Sequence, residues 1–412
     1  MKLSCGSQRL MGNQTVVNVG LILLVASIVA MASRRMRLPY SVGLVAAGIL
    51  LALLPVKVGL SLSPDLIFTT LLPPLIFEGA LQIHWSPFRR ELPLTLTLAF
   101  LGVIIAAAIV AAGMHELIGW SWLAAWLFGF LIAATDPVAV IATFRETRVE
   151  PRLSLLVESE SLLNDGVAAV GFAVLVAIAA GSSVAPAAVT GLLLWKILGG
   201  VIIGGGVAGG LLVLAGRTQD HLVEITLTTI AAYGSFLIAE RFESSGVLGA
   251  LTAGMVVANI GWRGYISQIG RAHILSFWEY AAFLVNSIVF ILIGLQEATR
   301  ARNLFSLAAG VAIVFVLLGR VVSVYLLCAL FHRRRLAVDQ RYQHMLVWGG
   351  LRGALGLALA LTIPDSVPER SDIINSAFAV VAFSIFVQGL TMPPLIRRLR
   401  VQAVATGITA RQ

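Results

Sequence analysis

"LVESESLLNDGVAAVGFAVL", residues 156–175, holds Glu158, Glu160, Asn164 and Asp165 and then runs without a break into apolar sequence. A helix on a soluble protein would carry such groups along a wet face, but beyond Gly166 no polar face continues. The rest of the chain explains why. Of its 412 residues 58% are hydrophobic and 12% charged, whereas ordinary soluble domains are roughly 25% charged. The mean hydropathy is +0.94, and apolar runs of about 20 residues, each long enough to cross a bilayer as a helix, recur from end to end. The fold class is an all-α polytopic membrane protein, and the polar groups of 156–165 lie inside one of its spans.

Thirteen spans are expected, over 15–33, 40–56, 63–82, 93–114, 121–144, 153–180, 189–216, 222–240, 245–260, 275–296, 304–331, 342–363 and 373–396. Short connections leave no room for a soluble domain, so residues 1–400 form one transmembrane unit and 401–412 a brief tail. The connections differ in charge. One set carries Arg34, Arg35, Arg37, Arg89, Arg90, Arg145, Arg148, Arg152, Arg217, Arg263, Arg271, Arg333 to Arg335, Arg341, Arg397, Arg398 and Arg400. The other carries Lys2, Arg9, Lys57, Arg241, Arg300, Arg302 and Arg370. The positive-inside rule makes the rich side cytoplasmic, with the N-terminus outside and the C-terminus inside. The net charge of +9 therefore reflects topology, and no nucleic-acid partner is expected. Cys5 and Cys328 give no disulfide framework. No cleavable signal stands out, and the polar opening to Asn13 reads as a tail in which Met11 is an alternative start.

A charged side chain at the centre of a membrane helix costs about 2.5–3.5 kcal/mol on insertion scales. This chain carries several: Glu78 in the third span, Asp136 in the fifth, Glu160 and Asp165 in the sixth and Arg352 in the twelfth. Two of the sites also break their helices. Pro137 disfavours helical geometry at Asp136, and Gly349, Gly350 and Gly353 surround Arg352. Unwound backbone at membrane depth survives only inside protein or beside a water-filled cavity, where half-helix ends can hold ions. Ser161 and Asp165, four apart, share one helical face, and Glu160 and Asn164 the adjacent one. A hydroxyl and a carboxylate can thus converge on one cation while Glu160 turns to a cationic partner, for which Arg352 is the candidate. The broken spans, fifth and twelfth, stand seven apart, as two inverted six-helix repeats joined by the seventh span require.

"PPLIFEGAL", "ATDPVAV", "ESLLNDGVA", "FLVNSIVFILIGL" and "WGGLRGALGLALAL", in this order, resemble the monovalent cation:proton antiporter family, in the branch of bacterial sodium/proton antiporters and animal sodium/proton exchangers. The resemblance runs from about residue 15 to 397. It implies a homodimer in which a moving core, spans near 93–180 and 304–397, slides beside a dimerisation domain made of the remaining spans. It implies that Asp165 binds either the cation or the proton, beside Asn164. Asp136, Ser161 and Thr135 would complete the site for the transported Na+, with Glu78 direct or through water. Glu160 and Arg352 match a structural ion pair. The Asn-Asp pair further implies electroneutral exchange of one cation for one proton. No resident cofactor and no enzymatic activity are expected; the partners are monovalent cations, protons and the bilayer, and a bacterial inner membrane fits.

Other features read as structural. "GGVIIGGGVAGG" (199–210) suits close helix packing, Trp85, Trp120 and Trp122 suit interfacial belts, and the six histidines form no metal constellation. The alternative in transport is a sodium-coupled organic-solute symporter on a similar fold, which needs a larger, partly apolar pocket. An intramembrane aspartyl protease would need a Gly-Asp signature that is missing, and Ser235 in "YGSFL" has no plausible His base.

Overall fold

The computed structural model describes residues 19–33, 35–36, 38–54, 63, 65–181, 186–300, 306–332 and 336–402. The opening tail, Arg34, Arg37, Lys57, Arg302, Arg333 to Arg335 and residues 403–412 lie outside these. The described chain is helical throughout, its only β pairing an isolated bridge between Val149 and Gln402.

In chain order the helices are α1 (Val19–Ser33), α2 (Tyr40–Leu53), α3 (Leu66–Gln82), α4 (Trp85–Ile118), α5 (Trp122–Ala133), α6 (Val138–Thr147), α7 (Pro151–Ala179), α8 (Pro186–Ala215), α9 (His221–Arg241), α10 (Gly246–Asn259), α11 (Gln268–Arg300), α12 (Leu307–Leu330), α13 (Gln340–Trp348), α14 (Ala354–Leu361) and α15 (Arg370–Leu399). Among the described residues seven helices are long and apolar enough to cross a membrane, namely α4, α7, α8, α9, α11, α12 and α15. Four shorter ones, α1, α2, α3 and α5, are also apolar. Large apolar side chains such as Leu101, Ile104, Leu198, Ile202, Val314 and Leu326 point outward, while Glu160, Asn164, Asp165, Arg320 and Arg352 are buried. That inversion of the soluble pattern suits a lipid surround. Trp85 and Trp122 are exposed as an interfacial belt requires, but Trp120 is buried and packs edge-on against Phe128.

The helices pack as two groups. In one, α4 lies against α12, α5 and α7, and α15 against α12 and α14. In the other, α11 lies against α2, α3 and α9, and α10 against α8, α3 and α9. Part of the glycine run on α8 serves this packing. A Cβ on Gly204 would strike the Gly249 backbone of α10, whereas Gly206, Gly209 and Gly210 face open space.

Two helical passages are interrupted, and both interruptions lie in the first group. After α5 the backbone at Ala134 turns extended (φ −57, ψ 135), and Pro137 starts α6. Between α13 and α14, residues 349–353 unwind, and Gly353 is extended (φ −136, ψ −153). The Asp136 amide donates to the Leu351 carbonyl at 2.7 Å, so each break satisfies part of the other's freed backbone.

Candidate functional site

The two breaks meet with complementary charge. Helix C-termini carry partial negative charge and N-termini partial positive charge. Arg352 donates through Nη1 to the carbonyls of Ala133 (2.6 Å) and Ala134 (3.1 Å), the last of α5. Asp136 sits at the start of α14, where a Cβ on Gly353 would run into its carboxylate. Glycine at 353 is therefore required by close approach. The Arg352 amide donates to Ser384 Oγ (3.1 Å), which donates to Gln388 Oε1, tying the second break to α15.

Beside the crossing, α7 presents two faces. On one, Glu160 accepts both arms of Arg320 of α12, at 2.7 and 2.6 Å, with only 1% of Glu160 and 8% of Arg320 exposed. Asn164 Nδ2 donates to Glu160 Oε1 (3.1 Å) and to Thr135 Oγ1 (2.7 Å), and the Thr135 amide donates to Asn164 Oδ1 (3.3 Å). Thr135 Oγ1 also shares a hydrogen bond with Ser161 Oγ at 2.9 Å. Arg320 reaches on to the Leu346 carbonyl near the end of α13, at 3.2 and 3.0 Å. Each broken passage thus has an arginine on the carbonyls that end its first half.

This corrects the expected ion pair. The partner of Glu160 is Arg320, and Arg352 is bound to backbone. The reason is geometric: Arg352 lies within the break, where freed carbonyls take its guanidinium, while Arg320 projects from an intact helix onto the Glu160 face. Arg320 was legible in the sequence. It interrupts "VLLGRVVSV" (316–324) in the middle of an apolar span, the same signal that singled out Asp136 and Asp165.

The other face of α7 carries Asp165, buried with Oδ1 lacking a hydrogen-bond partner. It lines a cavity of about 240 Å³ between the two helix groups. Thr135, Asp136 and Gly353 line the same side, and Tyr40, Glu78, Phe283 and Asn286 the opposite side. Glu78 is steadied by Gln82, whose Nε2 donates to it at 2.9 Å. Of the expected site residues, Asp165, Asp136, Thr135 and Glu78 share this cavity. Ser161, Asn164, Glu160 and Arg352 do not line it; Ser161 and Asn164 lie behind, holding Thr135.

Arg145, Glu158 and Glu279 also line the cavity. A second hollow shares Arg145 and Glu158 and adds Arg90, Arg148 and Arg152, so the two hollows adjoin at Arg145 and Glu158. Two carboxylates with hydroxyl and carbonyl oxygen nearby form a donor set suited to a small hard cation. Among the described residues no group of three or more His, Cys, Asp or Glu side chains is arranged to hold a resident metal ion.

A model of the family described as "Sodium/hydrogen exchanger, transmembrane" matches residues 20–398. The chain is 39% identical over 378 residues to the Na(+)/H(+) antiporter ApNhaP of Aphanothece halophytica, covering 91% of this chain and 72% of that one. It is 33% identical to the Na(+)/H(+) antiporter NhaP of Pseudomonas aeruginosa, covering 81% of each. In structure it resembles the sodium proton antiporter MjNhaP1 from Methanocaldococcus jannaschii, with a TM-score of 0.76 at 20% identity over 93% of this chain and 98% of that one.

Proposed function

We propose, from the premise that this chain belongs to the transmembrane sodium/hydrogen exchanger family, that it exchanges Na+ for H+ by letting the two compete for Asp165. The protein is an integral, multi-pass secondary transporter, and its family is not one of enzymes. The observation that carries the competition is the buried, unpartnered Asp165 oxygen in a cavity that Asp136 and Thr135 also line. A buried carboxylate is costly unless it holds a counter-charge or a proton. Asp165 holds one or the other, so the loaded core always crosses in a neutralised state.

Charge counting supports one-for-one exchange. Glu160 and Arg320 cancel each other, Asn164 is neutral, and Arg352 and Asp136 offset one another across the breaks. Only Asp165 changes its occupant, so a proton and a sodium ion leave the same net charge on the moving part. Na+ would rest on Asp165, Asp136 and the oxygens of Thr135, with Glu78 reached directly or through water; Ser161 and Asn164 hold Thr135 for it. The organic-solute symporter is not favoured, because the relatives are antiporters by name.

The division into two packed groups, with the cavity between them, supports a core of α4–α7 and α12–α15 moving against a dimerising scaffold. Thirteen passages in two inverted repeats, an outside N-terminus, a cytoplasmic arginine-rich face and a bacterial inner membrane complete the proposal. The hollow that adjoins the cavity at Arg145 and Glu158 supports access to the site from that arginine-rich side.

The test uses proteoliposomes under an imposed pH gradient with the membrane potential clamped at zero. Na+, Li+ or K+ is added in turn to wild type and to Asp165→Asn. Collapse of the gradient by Na+ only with Asp165 intact is the expected result, and the three cations report selectivity. Collapse of equal rate in Asp165→Asn refutes the competition. A rate that rises with applied potential refutes one-for-one exchange.

A further inference from the structure

We propose that the arginine-lined hollow beside the cation cavity binds the phosphate group of an anionic phospholipid, and that its occupant eases cation access to Asp165. The second half rests on the exchange reading above. The hollow, of about 570 Å³, lies between the α3–α4 corner and the α6–α7 corner. Arg90 comes from the first corner, beside Glu91, and Arg145, Arg148 and Arg152 from the second, beside Glu158. Charge bias between loops accounts for the number of arginines on this side but not for the convergence of four from two corners on one concavity.

The walls are held in place. Arg152 is clamped by Glu91 at 2.8 and 3.1 Å and by the Ala337 carbonyl at 3.1 Å. Arg148 closes α6 in the left-handed region (φ 53), and the next residues are pinned to the segment after α15 by Val149 pairing with Gln402 and by the Glu150 amide donating to Val401 at 3.1 Å. Arg90, Arg145 and Arg148 have no ion pair among the described residues. Guanidinium forks match phosphate oxygens bidentately. Pro87, Phe144 and Leu155 line the same hollow, so its surface is amphiphilic. Its arginines sit near the ends of α4, α6 and α7, and anionic headgroups gather at an arginine-rich membrane boundary. A lipid headgroup with the start of its chains fits this lining better than a free ion does.

The coupling runs through Arg145, which belongs to both hollows and lies within electrostatic reach of Glu78 and Glu158. Its positive charge at the mouth opposes an incoming cation. A phosphate engaging it offsets that charge and leaves the carboxylates to attract Na+.

The experiment compares the full chain with the Arg90→Gln/Arg148→Gln double variant, which leaves the cation site untouched. Native mass spectrometry, with phosphatidylglycerol and phosphatidylcholine as probes, reads binding. Proteoliposomes of phosphatidylcholine, with and without phosphatidylglycerol, read the KM for Na+ from the arginine-rich side. Wild type should retain phosphatidylglycerol selectively, and its KM should fall about two- to fivefold in the anionic vesicles, the size expected of one offset charge near the path. The double variant should lose the retention and the excess fall, at equal maximal rate. A fall of equal size in both proteins is a surface-potential effect and overturns the proposal. Inorganic phosphate reproducing the shift in phosphatidylcholine vesicles overturns the lipid assignment. Retention without a KM shift overturns the coupling. A wild type that exchanges no cation defeats the exchange reading instead, while mass spectrometry still decides the hollow.

Discussion

Glu160 and Asp165 lie five residues apart on one helix, in similar burial, and live in opposite circumstances. Glu160 is saturated: two arginine nitrogens and an asparagine amide occupy it. Asp165 keeps an oxygen without a partner and faces a cavity. The difference teaches how a membrane protein can afford an unsatisfied carboxylate. The locked face fixes α7 against α12, α13 and the Thr135 break, so the open face can change its occupant without the helix shifting.

The contrast is broken most severely from the locked side. Arg320→Ala leaves Glu160 buried and uncompensated, and removing one partner of a buried pair costs about 3–5 kcal/mol. The expected outcome is a large fall in melting temperature in detergent and poor yield, whereas Asp165→Asn melts like wild type and merely stops transport. Replacing both partners, Glu160→Gln with Arg320→Met, should recover most of the lost stability. A double variant no more stable than Arg320→Ala alone contradicts the reading of the pair as a lock.

Arg352→Ala should be milder. It strips donors from the Ala133 and Ala134 carbonyls, and unsatisfied neutral acceptors cost about 1–3 kcal/mol. The Glu160–Arg320 pair stays intact. The expected ranking of melting temperatures is wild type, then Arg352→Ala, then Arg320→Ala, with Na+ affinity weakened in Arg352→Ala because the Thr135–Asp136 backbone is loosened. A reversed ranking would restore Arg352 as the principal support of Glu160.

Ser161→Ala comes next in size. Because Ser161 Oγ bonds Thr135 Oγ1 and does not line the cavity, its loss should cost about 1 kcal/mol, as for a typical buried hydrogen bond. The effect on transport should be a change in KM at nearly constant maximal rate. A complete loss of exchange would instead make Ser161 a direct ligand.

These positions also mark how far sequence carried. Periodicity and hydropathy located the apolar helices, and Pro137 and the glycines about Arg352 located both breaks, because those signals are local. That Asp165, Asp136, Thr135 and Glu78 share a cavity follows from motif order only through a resemblance. Pairing was not legible. Arg320 and Arg352 are both intramembrane arginines, and nothing within "LLGRVVSV" or "GGLRGAL" states which one Glu160 meets. That is decided by which guanidinium finds freed carbonyls first in reach, a property of two crossing breaks remote in sequence. The hollow formed by the α3–α4 and α6–α7 corners was equally invisible, since its arginines read only as topology.

The smallest effect tests a carboxylate outside the membrane that is held through Oε1 while its Oε2 has no hydrogen-bond partner. Glu369, just before α15, accepts the Ser121 amide at 2.9 Å at the start of α5. Burial pushes its carboxyl up, but amide and hydroxyl hydrogen bonds from Ser121 and its own backbone outweigh that and hold it below its ordinary value of 4.5. A carboxyl depressed in the folded state adds stability that is present above the unfolded value and is lost as pH falls through the folded one. Glu369→Gln should therefore cost less than about 1 kcal/mol at neutral pH, the hydrogen bond being partly exposed. The two proteins should converge in melting temperature as pH falls through that depressed folded value, below 4.5. A gap that persists unchanged into acid would mean that shape, and not the ionised carboxylate, holds Ser121.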